Sequence, residues 1–240
     1  MSLSFVKVGG ILMGEVLEFV SKYFGYFLSG AGITVMIAFF TVIFAVIFGI
    51  LLALMKLSTN KLLRGISSTF VEIVRGTPLL VQLYILYYGL PMLGFELPQI
   101  DAFGTNLTDF ASVILALTIN STAYVAEIIR GGIQSIDKGQ MEAARSLGLN
   151  YKMAMRYIII PQAIKTILPS LGNEFITVIK ESAIISVVGI HELMFNARVA
   201  SGATYKIFTP YIMAAVMYFV LTFGLSKLLG VAERRMKVSD

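Results

Sequence analysis

Long apolar blocks separated by short charged clusters constrain the fold of this 240-residue chain more than any other feature. Hydrophobic residues make up 57% of it and charged residues 14%, with a mean hydropathy of +0.84. In an average soluble domain roughly 45–50% of the residues are apolar and about 25% are charged. A helix needs about 20 apolar residues to cross the roughly 30 Å of hydrocarbon in a bilayer, and these blocks are that long. The sequence therefore predicts an all-α integral membrane protein in contact with membrane lipid.

Charge and composition argue against several other classes. The net charge is +5, but Lys and Arg are scattered between apolar blocks without a basic stripe, so we expect no nucleic-acid partner. The chain has no cysteine and one histidine, His191, so we expect no metal site. Gly9, Gly10, Glu15 and Glu18 interrupt the N-terminal apolar stretch, which argues against a cleavable signal peptide.

Five apolar segments are long enough to cross the membrane, near residues 31–55, 68–88, 110–129, 164–190 and 209–229. Lys and Arg are concentrated after the first, third and fifth segments, and cytoplasmic loops retain such residues. The turn-rich segment between the second and third has Glu96, Asp101, Asp109, Pro98 and Gly104 but no Lys or Arg, so we expect it outside. Five transmembrane helices then place the N-terminus outside and the C-terminus in the cytoplasm.

Two regions are expected, residues 1–30 and residues 31–240. In the first, apolar residues recur at helical spacing opposite polar ones, which predicts an amphipathic helix on the outer membrane surface. The chain would then turn into the membrane at Gly30 and Gly32. The alternative is a longer, tilted first membrane helix.

The segment at 137–161 predicts two short helices outside the membrane. Good helix formers occupy 141–147, and Gly148 suits the left-handed position that ends a helix. Asn150 can cap the next helix, which Pro161 would bound. Because apolar side chains such as Leu147 would otherwise face water, we expect this segment to dock on another surface.

This segment resembles the EAA loop of ABC-importer permeases, and the matching positions are Glu142, Ala143, Ala144, Gly148 and Pro161. Residues 72–82, with the sequence Arg75-Gly76-Thr77-Pro78, look like the polar amino-acid branch of that family, the histidine/glutamine type. The stretches at 120–132 and 180–193 are also similar to that branch. The resemblance covers about residues 25–235.

The resemblance implies a type I ABC-importer permease core over residues 31–240, with 137–161 as its cytoplasmic ATPase-coupling loop. The first short helix of the loop would insert into a groove on an ATP-hydrolysing subunit, with contacts from Glu142, Ala143, Ala144 and Gly148. The chain has no GxxxxGK[ST] phosphate loop, so ATP and Mg²⁺ would belong to the partner ATPase, and this chain would not be an enzyme.

Other partners follow from the same resemblance. These are two cytoplasmic ATP-binding subunits, an extracytoplasmic amino-acid-binding protein and an amino-acid substrate, in a bacterial cytoplasmic (inner) membrane. Because five helices enclose little space, we also expect a second permease copy or a paralogue related by a two-fold axis.

Two polar stripes predict the substrate path, since ionisable groups within a bilayer usually face a cavity or each other. The third segment has Asn120, Tyr124, Glu127 and Gly131 at helical spacing, and the fourth has Ser170, Asn173, Thr177 and Lys180 or Glu181. The candidate substrate-binding residues are Asn120, Ser121, Tyr124, Asn173, Thr177 and Glu181. Glu181 would select a cationic side chain; alternatively, Lys180 and Glu181 neutralise each other or a neighbouring helix.

Further expectations concern Arg75, Pro78 and His191. Arg75 and Glu72 lie one helical turn apart and should form a pair or reach the inner interface. Pro78 should kink the second segment and act as a hinge. His191, beside Glu192, is predicted at the outer surface, where a delivery protein would contact it.

Two other classes remain open at this point. An ion-coupled secondary transporter or channel would use Lys180 and Glu181 as its coupling site. An intramembrane enzyme would need a catalytic dyad, for which the predicted spans have no obvious His/Ser or paired-Asp candidate.

Overall fold

The computed structural model describes the backbone of residues 2–95, 101–102 and 105–237, and the side chains of 14–95 and 106–235. The fold is helical, apart from two two-residue strands that pair antiparallel, β1 (Asp101–Ala102) and β2 (Thr105–Asn106). The helices are α1 (Ser2–Leu57), α2 (Lys61–Gly76), α3 (Leu79–Met92), α4 (Leu107–Gln134), α5 (Lys138–Ser146), α6 (Tyr151–Ala154), α7 (Ile160–Glu181), α8 (Leu193–Thr204) and α9 (Phe208–Lys237).

The first helix, α1, is continuous through Gly30 and Gly32. The turn predicted there is wrong, and the alternative of a longer first helix describes the chain. The reason is that Gly30 serves packing: a Cβ atom at this position would lie 2.7 Å from Nδ2 of Asn196 and 3.0 Å from Cα of Leu193. Gly30 therefore lets α8 approach the backbone of α1.

The second predicted segment is two helices, α2 and α3, bent by 105° relative to each other. Thr77 is extended, with φ −118° and ψ 146°, and Pro78 follows as the residue before α3. Proline disfavours a helical conformation at the preceding residue and has no N–H for the helix ladder, so the chain breaks here. The bend, called the elbow below, lies where the sequence predicts a kink.

Helix α4 is central, because it packs against α1, α2, α3 and α7. Of the most apolar stretch of α4, 67% is buried inside the protein, compared with 28% of that stretch in α1 and 11% in α9. Close contact with α1 depends on Gly49, where a Cβ atom would lie 2.5 Å from Cγ1 of Val125. Small residues at helix crossings are typical of membrane bundles, where backbones approach closely.

Helical structure continues from α6 into α7 and does not stop at Pro161. A π-helical turn (Met155–Ile159) joins α6 directly to α7, and Pro161 lies in the first turn of α7. Proline is tolerated in a first turn, and the wider π turn before it needs no bond from the absent N–H. The prediction that Pro161 bounds the second short helix is therefore wrong. After α7, a 3₁₀ helix (Ser182–Val188) ends at Gly189, with φ 89°.

Among the described residues, three helices are long and apolar enough to cross a membrane, in the ranges Gly14–Leu57, Leu107–Gln134 and Phe208–Arg235. The α2–α3 pair makes a fourth if its two helices form one bent span. Helix α7, in the fourth predicted segment, is less apolar because it carries Lys165, Glu174, Lys180 and Glu181. Of the predicted outer turn-rich segment, Glu96, Pro98 and Gly104 lie outside the described residues.

Candidate functional site

The polar side chains of α4 bond to different neighbouring helices. Four of them, within about two helical turns, contact α3, α7, α2 and α1 in that order: Asn120, Ser121, Tyr124 and Glu127. In a low-dielectric interior such bonds are strong and an unpaired polar group is costly. Helix α4 therefore makes polar contacts with four other helices of the bundle.

Asn120 is buried and donates from Nδ2 to Oε1 of Gln82 over 2.9 Å. Gln82 in turn donates from Nε2 to the carbonyl of Val74 (2.7 Å) and to Oγ1 of Thr77 (2.8 Å). The amide of Asn120 thus faces the elbow between α2 and α3. This differs from the predicted stripe, in which Asn120 lies on the same path-lining face as Tyr124 and Glu127.

Ser121 makes the polar contact between α4 and α7. Its hydroxyl donates to Oε1 of Glu174 over 2.6 Å, and Glu174 is half-buried. Glu181 lies about two helical turns further along α7. In the described part of the chain neither carboxylate forms a salt bridge. These three residues, Ser121, Glu174 and Glu181, are called the acidic site below.

Glu127 is held by two cations near the end of α4. Lys56 of α1 lies 2.6 Å from its Oε1, and Arg130 lies 2.7 Å from its Oε2. Arg130 also contacts Gln134. The side chains of Lys56 and Glu127 are each 18% exposed. This cluster joins the end of α1 to the end of α4, and it uses a residue that the sequence places on the substrate path.

Arg75 does not pair with Glu72 in the described structure. Its guanidinium lies over the ring of Tyr124, 5.2 Å from the centroid, which is a cation–π contact between α2 and α4. The predicted pair is wrong because the bend after Gly76 brings the end of α2 against α4, where an aromatic ring is available.

The other predicted substrate residues lie along α7. Thr177 is half-buried, whereas Asn173 and Lys180 are exposed. Lys180 and Glu181 do not form a salt bridge with each other among the described residues. The predicted set did not include Glu174, although it is an ionisable residue within an apolar segment, the same signal that selected Glu181. Gln82 was also missed, because an amide in an apolar run has no comparable signal.

Helix α5 is exposed, and it is followed in the chain by the short helix α6. Asp137 caps it by accepting from the N–H of Gly139 over 2.7 Å. Glu142 and Ala143 are exposed, while Ala144 is 1% exposed and holds the helix against the rest of the chain. Gly148 has φ +86°, the left-handed conformation predicted for the helix end, and Asn150 caps α6 by accepting from the N–H of Met153.

An apolar patch surrounds α5 and consists of Leu147, Tyr151, Met153 and Tyr157, which are 82%, 58%, 41% and 63% exposed. Arg145, Lys152 and Arg156 lie among these residues in the sequence. Apolar side chains rimmed by charged ones are typical of a surface that binds another protein. The structure is therefore consistent with the expectation that this segment docks on a partner.

Glu192 lies inside the protein, although it follows His191 in the sequence. It is 0% exposed, caps α8 through the N–H groups of Met194 and Phe195, and accepts from the hydroxyl of Tyr218 over 2.7 Å. His191 is half-buried, with its ring 4.7 Å from that of Phe195. The predicted exposed surface at His191–Glu192 is therefore limited to part of His191.

These features define a helical membrane protein whose long apolar helices enclose polar side chains and whose exposed helix α5 is suited to dock a partner. The chain belongs to the family of binding-protein-dependent transport system inner membrane components, whose model matches residues 45–238. It is thus a permease, the transport subunit of an ABC system in which a separate subunit hydrolyses ATP. This excludes the secondary-transporter and intramembrane-enzyme alternatives.

Several relatives match most of the chain. It is 42% identical over 216 residues to the arginine transport system permease protein of Bacillus subtilis (strain 168), which covers 90% of this chain and 94% of the relative. It is 42% identical over 214 residues to the putative glutamine transport system permease protein of Rickettsia bellii (strain RML369-C), covering 89% of this chain and 94% of the relative.

Solved structures agree with the fold. The crystal structure of an amino acid ABC transporter with histidines has a chain 50% identical to this one, with a TM-score of 0.82, covering 90% of this chain and 96% of that one. An inward-facing methionine ABC transporter is 18% identical, with a TM-score of 0.74 over 90% of this chain and 98% of that one, and supports the fold alone.

Proposed function

We propose that this permease imports polar amino acids and favours those with a cationic side chain. The observation that carries this proposal is the acidic site, in which Ser121 of α4 donates to Glu174 of α7 and Glu181 lies about two turns further along α7. Thr177, between the two acids on α7, adds a hydroxyl, and Tyr124 and Asn173 remain candidate contacts at its edge. A carboxylate, a second carboxylate and a hydroxyl together suit the ammonium or guanidinium group of an amino acid.

Neither Glu174 nor Glu181 forms a salt bridge among the described residues, and this supports the assignment. Burying a charge is costly unless it is paired, and two nearby carboxylates repel each other. A cationic substrate would relieve both penalties on binding. Glu127, by contrast, already has two cations of its own, Lys56 and Arg130, so it offers no free charge to a substrate.

The relatives support an amino-acid substrate without selecting which one. One relative is named for arginine and another for glutamine, at the same identity of 42%. The structure with 50% identity was determined with histidines. Two acids in the site favour arginine, lysine or histidine over glutamine.

Transport is powered, in this proposal, by two cytoplasmic ATP-binding subunits that hold ATP and Mg²⁺. These subunits bind α5 through Glu142, Ala143, Ala144 and the turn at Gly148. When they close and reopen during ATP hydrolysis, the permease opens alternately to the two sides of the membrane. A second permease copy or a paralogue completes the pathway, and an extracytoplasmic binding protein delivers the amino acid. The exposed apolar patch around α5 supports the ATPase contact.

We further propose five membrane crossings in the bacterial cytoplasmic membrane, with the N-terminus outside and the C-terminus in the cytoplasm. The α2–α3 pair and α7 would supply the second and fourth crossings. The Lys and Arg residues after α1, around α5 and at the end of α9 support this orientation, because cytoplasmic loops retain positive charge.

The substrate proposal is tested by calorimetric titration of the permease complex in lipid nanodiscs with arginine and with glutamine. Glu174→Gln and Glu181→Gln should each weaken arginine binding by about tenfold or more, roughly 1.4 kcal/mol, because each removes one charge facing the guanidinium. Glutamine binding should change less. Glu72→Gln removes an exposed carboxylate on α2 and is the matched control, with arginine affinity unchanged.

Equal affinity for arginine and glutamine in the unmodified protein would contradict the cationic preference. An arginine affinity that survives both substitutions would remove the acidic site from the proposal.

A further inference from the structure

The elbow between α2 and α3 lacks one backbone hydrogen bond that a continuous helix would have. In an α-helix the carbonyl of Val74 accepts from the N–H four residues later, which here is Pro78. Proline has no N–H to donate. A buried carbonyl without a partner would cost free energy comparable to a lost hydrogen bond.

Gln82 supplies the missing donor. Its Nε2 lies 2.7 Å from the carbonyl oxygen of Val74, 3.1 Å from that of Thr77 and 2.8 Å from Oγ1 of Thr77. The side chain of one helix, α3, therefore closes the last turn of the other helix, α2. Because a side-chain amide can rotate away and return without a change in the backbone, this closure can open while both helices stay intact.

The carbonyl oxygen of the Gln82 side chain bonds to α4. Oε1 of Gln82 accepts from Nδ2 of Asn120 over 2.9 Å, and both side chains are buried, at 9% and 5% exposure. The next residue of α4, Ser121, donates to Glu174 in the acidic site. Consecutive residues of one rigid helix therefore bond to the elbow on one side and to the acidic site on the other.

We propose that Gln82 is a positioning residue that latches the Pro78 elbow to α4 and couples its angle to the acidic site through Asn120 and Ser121. The substrate part of this inference rests on the proposed function. Release of the Gln82–Asn120 bond lets α3 move relative to α4, and the bond transmits to the elbow the movement that the binding protein and ATP drive, without contributing to the affinity for the amino acid. Asn120 then acts through Gln82 and does not touch the substrate.

The test uses the permease assembled with its ATP-binding subunits and binding protein in nanodiscs. Asn120→Leu removes the bond to Gln82, and Asn120→Ser is a milder variant whose side chain is too short to make it. Thr122→Val is the matched control, because Thr122 is a buried residue of α4 whose hydroxyl has no hydrogen-bond partner. Two quantities are measured: the dissociation constant for arginine and the ratio of binding-protein-stimulated to basal ATP hydrolysis.

Both Asn120 variants should keep the arginine dissociation constant within about twofold while the stimulation ratio falls by at least about fivefold. Thr122→Val should retain both values. A stimulation ratio that is retained in both Asn120 variants would overturn the latch. A weakening of arginine binding in proportion to the lost stimulation would also overturn it, because Asn120 would then be a substrate ligand.

Failure of the latch and failure of the proposed function are distinguishable. If the unmodified permease binds neither arginine nor glutamine, the proposed substrate class fails. The stimulation ratio does not depend on that titration, and its retention in both Asn120 variants would still overturn the latch.

Discussion

At the scale of single residues, burial determines how much an ion pair contributes. Lys56 and Glu127 are each 18% exposed and lie 2.6 Å apart, with Arg130 on the other oxygen of the same carboxylate. Lys206 and Glu15 lie 2.8 Å apart but are 41% and 52% exposed. Exposed pairs are screened by water and contribute little, whereas removing one partner of a buried pair leaves a charge without compensation.

Glu127→Gln should destabilise the protein by about 1–3 kcal/mol, because Lys56 and Arg130 lose their shared carboxylate. The matched substitution Glu15→Gln should leave stability nearly unchanged. Thermal unfolding of both variants in the same detergent measures the difference. Equal melting temperatures for the two variants would show that the Glu127 cluster does not hold α1 to α4.

At the scale of elements, glycines have roles that the sequence does not reveal. Gly30 and Gly32 both suggest a turn, yet both lie inside α1. Gly30 faces Asn196 and Leu193 of α8, whereas nothing lies within 4 Å of a Cβ atom built on Gly32. Whether a glycine marks a turn or a close helix crossing depends on a contact 160 residues away in the chain, which local sequence cannot show.

Gly30→Ala and Gly32→Ala should therefore have opposite effects. The first forces Asn196 and the α8 backbone to move and should destabilise by about 1–3 kcal/mol. The second fills open space and improves helix propensity by up to about 1 kcal/mol. Thermal unfolding of the two variants is the measurement, and a stabilising Gly30→Ala would contradict the close approach of α1 and α8.

The difference between local and long-range contacts also explains how much of the site could be predicted. The helix end at Gly148 and the cap at Asn150 depend on neighbouring residues, so the sequence predicts both. The bonds of Asn120 to α3 and of Ser121 to α7 depend on how α4 is rotated within the bundle, and helical spacing alone does not determine that rotation. The predicted stripe therefore had suitable residue types, but not the partners that the structure gives them.

At the scale of the whole molecule, two kinds of apolar surface differ in composition. The exposed faces of α1 and α9 are long and almost purely apolar, with residues such as Phe44, Ile47, Phe219 and Phe223, which suits contact with lipid or with a second permease copy. The surface around α5 is short and mixes apolar with cationic side chains. This difference supports the proposal that a water-soluble protein docks on the second surface.

The most direct test of the permease assignment is co-purification of the ATP-binding subunit with two variants of this chain. Ala143→Arg places a bulky cation on the exposed face of α5, and Ala203→Arg places the same side chain on an exposed position of α8. The account predicts that Ala143→Arg loses the ATP-binding subunit while Ala203→Arg retains it. Retention of the subunit by Ala143→Arg at the unmodified level would contradict the assignment of α5 as the surface gripped by the ATPase.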